Sequence, residues 1–419
     1  MPAPMTSRRA PAGPAPPRPP SRWLPLALLV VLAAVVGAVP PAPPAAAHPS
    51  VARPAEVSGP PPGPVATPVV RARSFLLADA ATGQVLLARD PARARPMAST
   101  TKVMTALLVL ERLPQQRVVT IGAGPPRTST PSTLGLRAGE RLTVRQLLLG
   151  LLLESANDAA VALAEAVDGS EAAFVRRMNQ RAAALGLRAT RYASPHGLDR
   201  PGHHTSARDL ARLWTVAMRR PDFRALVATR RATIPGPRGA RRFASRNELL
   251  FSYRWTEGGK TGFTNLAGRC LVASVSRGGR RLVAVALGSV NAFRDLRALF
   301  DYGFDALVRV RLARAGQVVT APSPGGGQGG PWQVAADVDA LVRRDLLGRV
   351  ALRAAPAAPG GQGGAPAVWL AAGGAPLAPL PLRPADGAAQ APAGSLRPGP
   401  VPAGARSAVV DRFLAQQAA

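Results

Sequence analysis

Three short motifs in this chain carry side chains suited to nucleophilic acyl chemistry: Ser99-Thr100-Thr101-Lys102, Ser155-Ala156-Asn157 and Lys260-Thr261-Gly262. Ser99 opens an apolar run over residues 103–110 that predicts a buried helix. Three residues along a helix is about one turn, so Lys102 shares a face with Ser99. An amine then lies beside a hydroxyl, which is what a serine nucleophile needs from a base. Taken alone, S-x-x-K fits a surface serine and a solvated lysine equally well. Composition weighs for the catalytic reading. Of 53 Lys+Arg residues only Lys102 and Lys260 are lysine, and both stand in these motifs. Arginine stays protonated, whereas a desolvated lysine can give up its proton.

The surrounding pattern supplies the elements that position the motifs. Residues 74–78 and 84–88 flank Asp79-Ala80-Ala81-Thr82-Gly83 and predict a β-hairpin. The Ser99 helix ends before Pro114, and residues 117–121 suit a short strand. Residues 142–167 predict two helices broken near Glu154-Ser155-Ala156-Asn157, with Thr143 as N-cap. The next helix is framed by Ser170 and Gly186. Residues 192–204 read as a loop, and Ser206-Ala207-Arg208-Asp209 as a capping box opening a helix to about Arg219. Past Pro221 the pattern turns to strands: Lys260-Thr261-Gly262 leads to an apolar run at 271–275, a turn at Arg277-Gly278-Gly279 and a return strand at 281–287. Residues 295–308 predict a last helix, with Leu296, Leu299, Phe300 and Phe304 at helical spacing. This order predicts an α+β fold, an antiparallel sheet flanked by helices.

The chain has 419 residues, 47% apolar, and a formal charge of +30 with a pI near 11.9. The arginines are spread along the whole chain and aromatics are only 4%, so no stacking platform for single strands is built and no nucleic-acid partner is expected. The single cysteine, Cys270, excludes an internal disulfide and sits in an apolar strand pattern as core. His196, His203 and His204 have no carboxylate or cysteine at ligand spacing; they read as loop residues, and no metal or other cofactor is expected. Arg8, Arg9, Arg18 and Arg22 precede an apolar run at 23–39 and then Ala45-Ala46-Ala47-His48. That is an export signal over residues 1–47, with an uncleaved anchor as the alternative. The expected organisation continues with a Pro-rich linker at 48–70, a main domain at 71–312 and a Gly/Pro-rich linker at 313–331. A small β-rich domain at 332–386 and a disordered tail at 387–419 with a short terminal helix complete it.

The set S-x-x-K, S-x-N and K-T-G, in that order, is that of penicillin-binding proteins and class A β-lactamases. The stretches Met97-Ala98-Ser99-Thr100-Thr101-Lys102-Val103-Met104-Thr105-Ala106, Glu154-Ser155-Ala156-Asn157-Asp158-Ala159 and Gly258-Gly259-Lys260-Thr261-Gly262-Phe263-Thr264 resemble the low-molecular-mass penicillin-binding D-alanyl-D-alanine carboxypeptidases, the S11 peptidases. Ser206-Ala207-Arg208-Asp209-Leu210-Ala211 and Asp301-Tyr302-Gly303-Phe304 share the resemblance, which covers about residues 70–310. It implies the DD-peptidase/serine β-lactamase fold and removal of the terminal D-Ala from peptidoglycan stem peptides, with β-lactams as covalent inhibitors. The export signal independently places the protein outside the cytoplasmic membrane, at the cell wall or membrane surface, and allows peripheral envelope association.

On that reading Ser99 attacks the D-Ala-D-Ala carbonyl and neutral Lys102 takes its proton. Lys260 and burial lower the Lys102 pKa. Ser155 relays a proton to the leaving amine, and Asn157 holds Lys102 and a substrate amide together. Lys260 and Thr261 receive the terminal carboxylate, with Gly262 in the same strand. Backbone N–H groups of Ser99 and Phe263 hold the oxyanion, as the family pattern implies. Three rival readings remain open. A class A β-lactamase needs a Glu for deacylation, and residues 188–199 hold none. A non-catalytic wall-binding protein would use the basic surface, and a DD-endopeptidase would use the same site on cross-links.

Overall fold

The computed structural model describes residues 66–122, 132–320, 331–354, 368–372, 375–384 and 399–400. The expected export signal, the linker before residue 66 and the terminal helix lie outside the described residues.

Strands β1 (Ser74–Asp79) and β2 (Val85–Arg89) form the expected antiparallel hairpin. Its turn is tied by the Asp79 carboxylate, which accepts from the N–H groups of Ala81 and Thr82 at 3.0 and 2.8 Å. A short 3₁₀ turn (Ala98–Thr101) carries Ser99 and runs into α1 (Lys102–Arg112), which ends before Pro114. Two short strands, β3 (Val118–Thr120) and β4 (Arg141–Thr143), pair and lead into α2 (Val144–Leu149). Thr143 caps α2 in a full capping box with Gln146. Helices α3 (Asn157–Asp168), α4 (Glu171–Ala184) and α5 (Ala207–Met218) follow, the last two capped by Ser170 and Ser206.

The stretch after Pro221 departs from expectation. It begins not with strands but with a further helix, α6 (Pro221–Val227), with the proline in its first turn, where a missing N–H costs nothing. A small hairpin, β5 (Arg231–Ile234) and β6 (Arg241–Ala244), and a one-turn helix, α7 (Leu249–Ser252), come next. Then β7 (Thr256–Thr264), β8 (Gly268–Arg277) and β9 (Arg280–Ser289) complete a five-stranded antiparallel sheet in the order β2-β1-β9-β8-β7. Helix α8 (Ala292–Asp305) stops short of the predicted end because Leu307 already begins the next strand.

The central strands β1, β9 and β8 are buried on both faces, and their period of two sorts their side chains into two cores. Leu76, Val272, Val283 and Val285 pack with α1, α3 and α5 on one side. Phe75, Leu77, Leu271, Ala273 and Ala284 pack with Leu296, Leu299 and Phe300 of α8 on the other. This accounts for the unbroken apolar runs of β8 and β9, which alternation in an exposed sheet would forbid. Helix α1 is buried from Lys102 to Leu110, so it runs through the middle of the first core.

From Leu307 onward every described element but one short 3₁₀ turn is strand. Strand β10 (Leu307–Ala313) pairs with Val338–Arg343 and with Gly399–Pro400. The segments Val350–Ala354, Val368–Ala372 and Ala375–Leu380 form a further three-stranded sheet. A cluster built on Val310, Leu312, Val334, Val338, Val342 and Leu380 joins β10 to Pro331–Val334, Val338–Arg343 and the end of Ala375–Leu380. Strand therefore begins some 25 residues before the expected start at 332, and Val318–Thr320 is strand where a linker was expected.

Candidate active site

Ser99 sits in a turn under strain. Ala98, immediately before it, has φ +47°, a left-handed conformation that costs a non-glycine residue about 1–3 kcal/mol. Two glycines make room for this turn. A Cβ on Gly197 would lie 2.1 Å from the Ala98 carbonyl oxygen, and one on Gly262 would lie 2.9 Å from the Ser99 nitrogen. Gly262 belongs to β7, the edge strand of the sheet, so the K-T-G strand runs directly against the serine turn.

Lys102, one turn on, is fully buried. Its Nζ lies 2.9 Å from Ser99 Oγ, 2.7 Å from Asn157 Oδ1 and 2.6 Å from the His196 carbonyl oxygen. A neutral amine has two N–H donors and one lone pair. The carbonyl of His196 and the amide oxygen of Asn157 take the two donors, which leaves the lone pair for the Ser99 proton. Burial holds the Lys102 pKa well below its ordinary value, helped by the positive charges of Lys260 and Arg246.

The second motif is brought in by an unusual break. Gly150–Glu154 forms a wide π turn after α2, and Ser155 follows with φ +67° before α3 begins at Asn157. The Asn157 N–H donates to the Ser132 carbonyl at 2.8 Å. Lys260, also buried, places its Nζ 3.0 Å from Ser155 Oγ and 2.8 Å from the carbonyl of Thr261. Its pKa falls to about 7, through burial first and Arg246 second, with Glu154 opposing. Thr261 is half-buried and Phe263, next on the same side of β7, is 61% exposed. Ser99, Lys102, Ser155, Asn157, Lys260, Thr261, Gly262 and Phe263 thus come from the serine turn and α1, the break before α3, and β7.

Several participants went unnoticed in the sequence. His196 and His203 lie in the expected loop, but both are buried behind the serine turn, their pKa values pushed down to about 3 and about 4 chiefly by burial. The His196 backbone carbonyl is a partner of Lys102, which residue type alone never reveals. Arg246 pairs with Glu154 and is the main charge depressing Lys260. Asp158 is structural: its carboxylate accepts from the N–H groups of Leu134, Leu136 and Ala159. Asp209 is likewise structural, accepting from the Ala189 N–H and the Thr190 hydroxyl. Cys270 is buried as expected.

Residues 63–291 match the peptidase S11 family model, D-alanyl-D-alanine carboxypeptidase. The chain is 38% identical over 252 residues to the D-alanyl-D-alanine carboxypeptidase DacB2 of Mycobacterium tuberculosis, covering 58% of this chain and 86% of that one. It is 36% identical to a D-alanyl-D-alanine endopeptidase of Pseudomonas aeruginosa, over 58% of this chain and 81% of that one. Among solved structures it is similar to penicillin binding protein 5 from Haemophilus influenzae, with TM-score 0.63 and 27% identity over 76% of this chain and 98% of that one. With its α+β fold and the three motifs gathered at one edge of the sheet, the chain belongs to the S11 peptidase family, the serine-type D-alanyl-D-alanine carboxypeptidases.

Proposed function

We propose that this protein removes the terminal D-Ala from peptidoglycan stem peptides through an acyl-enzyme on Ser99, and that penicillin traps the same serine. The observation that carries this reading is the amine of Lys102, buried and 2.9 Å from the Ser99 hydroxyl. The Ser99 oxygen attacks the scissile carbonyl while its proton passes to Lys102 Nζ. The developing oxyanion is held by the N–H groups of Ser99 and Phe263. As the C–N bond breaks, the proton held by Lys102 passes to the leaving D-Ala amine through Ser155, whose hydroxyl is 3.0 Å from Lys260. Water then attacks the ester, with Lys102 again accepting a proton, which it returns to the Ser99 oxygen as the ester C–O bond breaks. Asn157 holds Lys102 and the substrate amide. Lys260 and Thr261, on the open edge of β7, receive the terminal carboxylate, and Gly262 lets that strand approach.

Residues 71–312 form the catalytic domain in this reading, and the protein acts outside the cytoplasmic membrane, at the wall or on the membrane surface. The arginine-flanked apolar run at the start of the sequence supports export. Substrate and inhibitor are the only partners the reading needs. The named endopeptidase relative supports one second reading, cleavage of cross-links by the same site.

Purified protein incubated with a stem pentapeptide and with a cross-linked dimer decides between them by product mass. Loss of one D-Ala from the pentapeptide supports the carboxypeptidase; release of monomers from the dimer alone supports the endopeptidase. Labelled penicillin gives a stable adduct on the native chain and none on Ser99→Ala. Rapid turnover of nitrocefin instead makes the protein a β-lactamase and sinks the proposal.

A further inference from the structure

Behind Ser99, three hydrogen bonds run in series through buried groups. The His203 ring lies with Nε2 at 2.7 Å from Thr101 Oγ1 and Nδ1 at 2.9 Å from the Ala193 nitrogen. Thr101 Oγ1 is 2.7 Å from the Ala98 carbonyl oxygen. The direction of each bond follows from donor counts. The Ala193 N–H can only donate, so Nδ1 is the unprotonated nitrogen and Nε2 carries the hydrogen. The Thr101 hydroxyl has one proton, and a carbonyl can only accept, so that proton goes to Ala98. His203 is therefore a neutral donor in one tautomer, fixed from both sides. Burial keeps it so, and Tyr192 stands edge-on to the ring at 6.0 Å. Thr101 and His203 are both buried, which makes each unsatisfied partner costly.

The end of this series matters because the Ala98 carbonyl and the Ser99 N–H belong to one peptide group. We propose that His203 is a positioning residue for the oxyanion donor: through Thr101 it pins the Ala98 carbonyl, and thereby aims and polarises the Ser99 N–H. The inference rests on the reading above that this N–H faces the oxyanion. Hydrogen bonds in series strengthen one another by roughly 10–30% each. A donor to the carbonyl end of a peptide makes its N–H a better donor at the other end. The peptide also needs pinning, because Ala98 is held at φ +47° and would relax if its carbonyl were released.

Two pairs of substitutions test this by the rate of acylation with benzylpenicillin, separated from the prior binding step. The amide of glutamine reaches the Nε2 position and can still donate to Thr101. The amide of asparagine reaches only Nδ1, so it keeps the bond from Ala193 and loses the donor. His203→Asn is expected to lower the acylation rate constant about tenfold, less than the loss of a whole oxyanion donor, with the binding constant unchanged. His203→Gln restores most of that rate. Thr101→Val repeats the loss, Thr101→Ser does not, and the Asn/Val double variant is no slower than either single one, because the groups act as a unit. Melting temperatures identify any variant that has failed to fold, in which case the other pair carries the test.

Acylation at the native rate in His203→Asn and Thr101→Val overturns the inference. So does a His203→Gln variant as slow as His203→Asn, which marks a merely structural role. Absence of any penicillin adduct on the native chain overturns the acyl-enzyme reading itself, and so is told apart from a native adduct that these variants leave untouched.

Discussion

The two lysines of this protein are equally buried and differently partnered. Lys102 has three oxygen neighbours within 2.9 Å, and the two that can only accept match the two hydrogens of a neutral amine. Lys260 has two, Ser155 Oγ and the Thr261 carbonyl, at the edge of an open strand. Burial lowers both pKa values, but the next cause differs: Lys260 for Lys102, and Arg246 for Lys260. The difference teaches how one residue type serves two tasks in one cleft. The inner lysine is arranged so that the uncharged form satisfies every neighbour. The outer one, poised at about 7, can take up a proton when an anion arrives.

The comparison breaks most visibly if the inner position tolerates a permanent cation. Lys102→Arg keeps hydrogen-bonding capacity but fixes a positive charge there, because arginine cannot lose its proton. Acylation by penicillin should fall about 10²- to 10⁴-fold, the range for removing a general base. Near-native acylation would remove Lys102 from the role of base. The same exchange at Lys260, where the charge and not the base matters, should be the milder of the two.

A second contrast comes from stability against pH. The Lys260 pKa is about 7 in the folded chain against 10.5 as its ordinary value. Between these values the unfolded chain binds the extra proton, so stability rises with pH by up to about 1.4 kcal/mol per pH unit from this group. Below about 7 both states are protonated and the cost of the buried charge is constant. Lys260→Met removes that dependence. Its stability relative to the native chain should therefore be greatest near neutral pH and shrink as pH rises toward 10.5, as denaturant titrations at several pH values will measure. A gap that does not change with pH would mean that Lys260 keeps an ordinary pKa.

Much of this was legible in the sequence, and for identifiable reasons. The hairpins, the caps at Thr143, Ser170 and Ser206, and the break before Asn157 are local features, written in turn and capping residues. The serine, the lysines and the asparagine stand out because lysine occurs only in these motifs and the three motifs follow one another in order. Helix α6 lies where strands are expected because a proline breaks a pattern as readily as it opens a helix, and Pro221 does the second. The expected last helix overlaps only the first two residues of β10, and residues 309–312 are assigned no element, although Val308, Val310 and Leu312 alternate with Arg309 and Arg311. The neighbours of Lys102 beyond Ser99, Asn157 and Lys260 are not written in the sequence. A backbone carbonyl from His196 and an arginine 144 positions from Lys102 in sequence reach the lysine only through tertiary folding.

Arg246 offers the finest test of the contrast between the lysines. It lowers both pKa values, but it is the leading charge at Lys260 and only a later one at Lys102. It also pairs with Glu154, which raises Lys260. Arg246→Gln removes the cation and leaves Glu154 unpaired, so the two consequences add at the outer lysine. In the pH profile of penicillin acylation, the rising limb reports loss of the Lys102 proton and the falling limb loss of the Lys260 proton. Both limbs should move to higher pH, the falling one further. The shift should stay under about one pH unit, because the Arg246 side chain is 42% exposed and water screens it. Equal movement of the limbs would mean that the two amines titrate as one coupled pair, and that the division of labour between them is drawn too sharply.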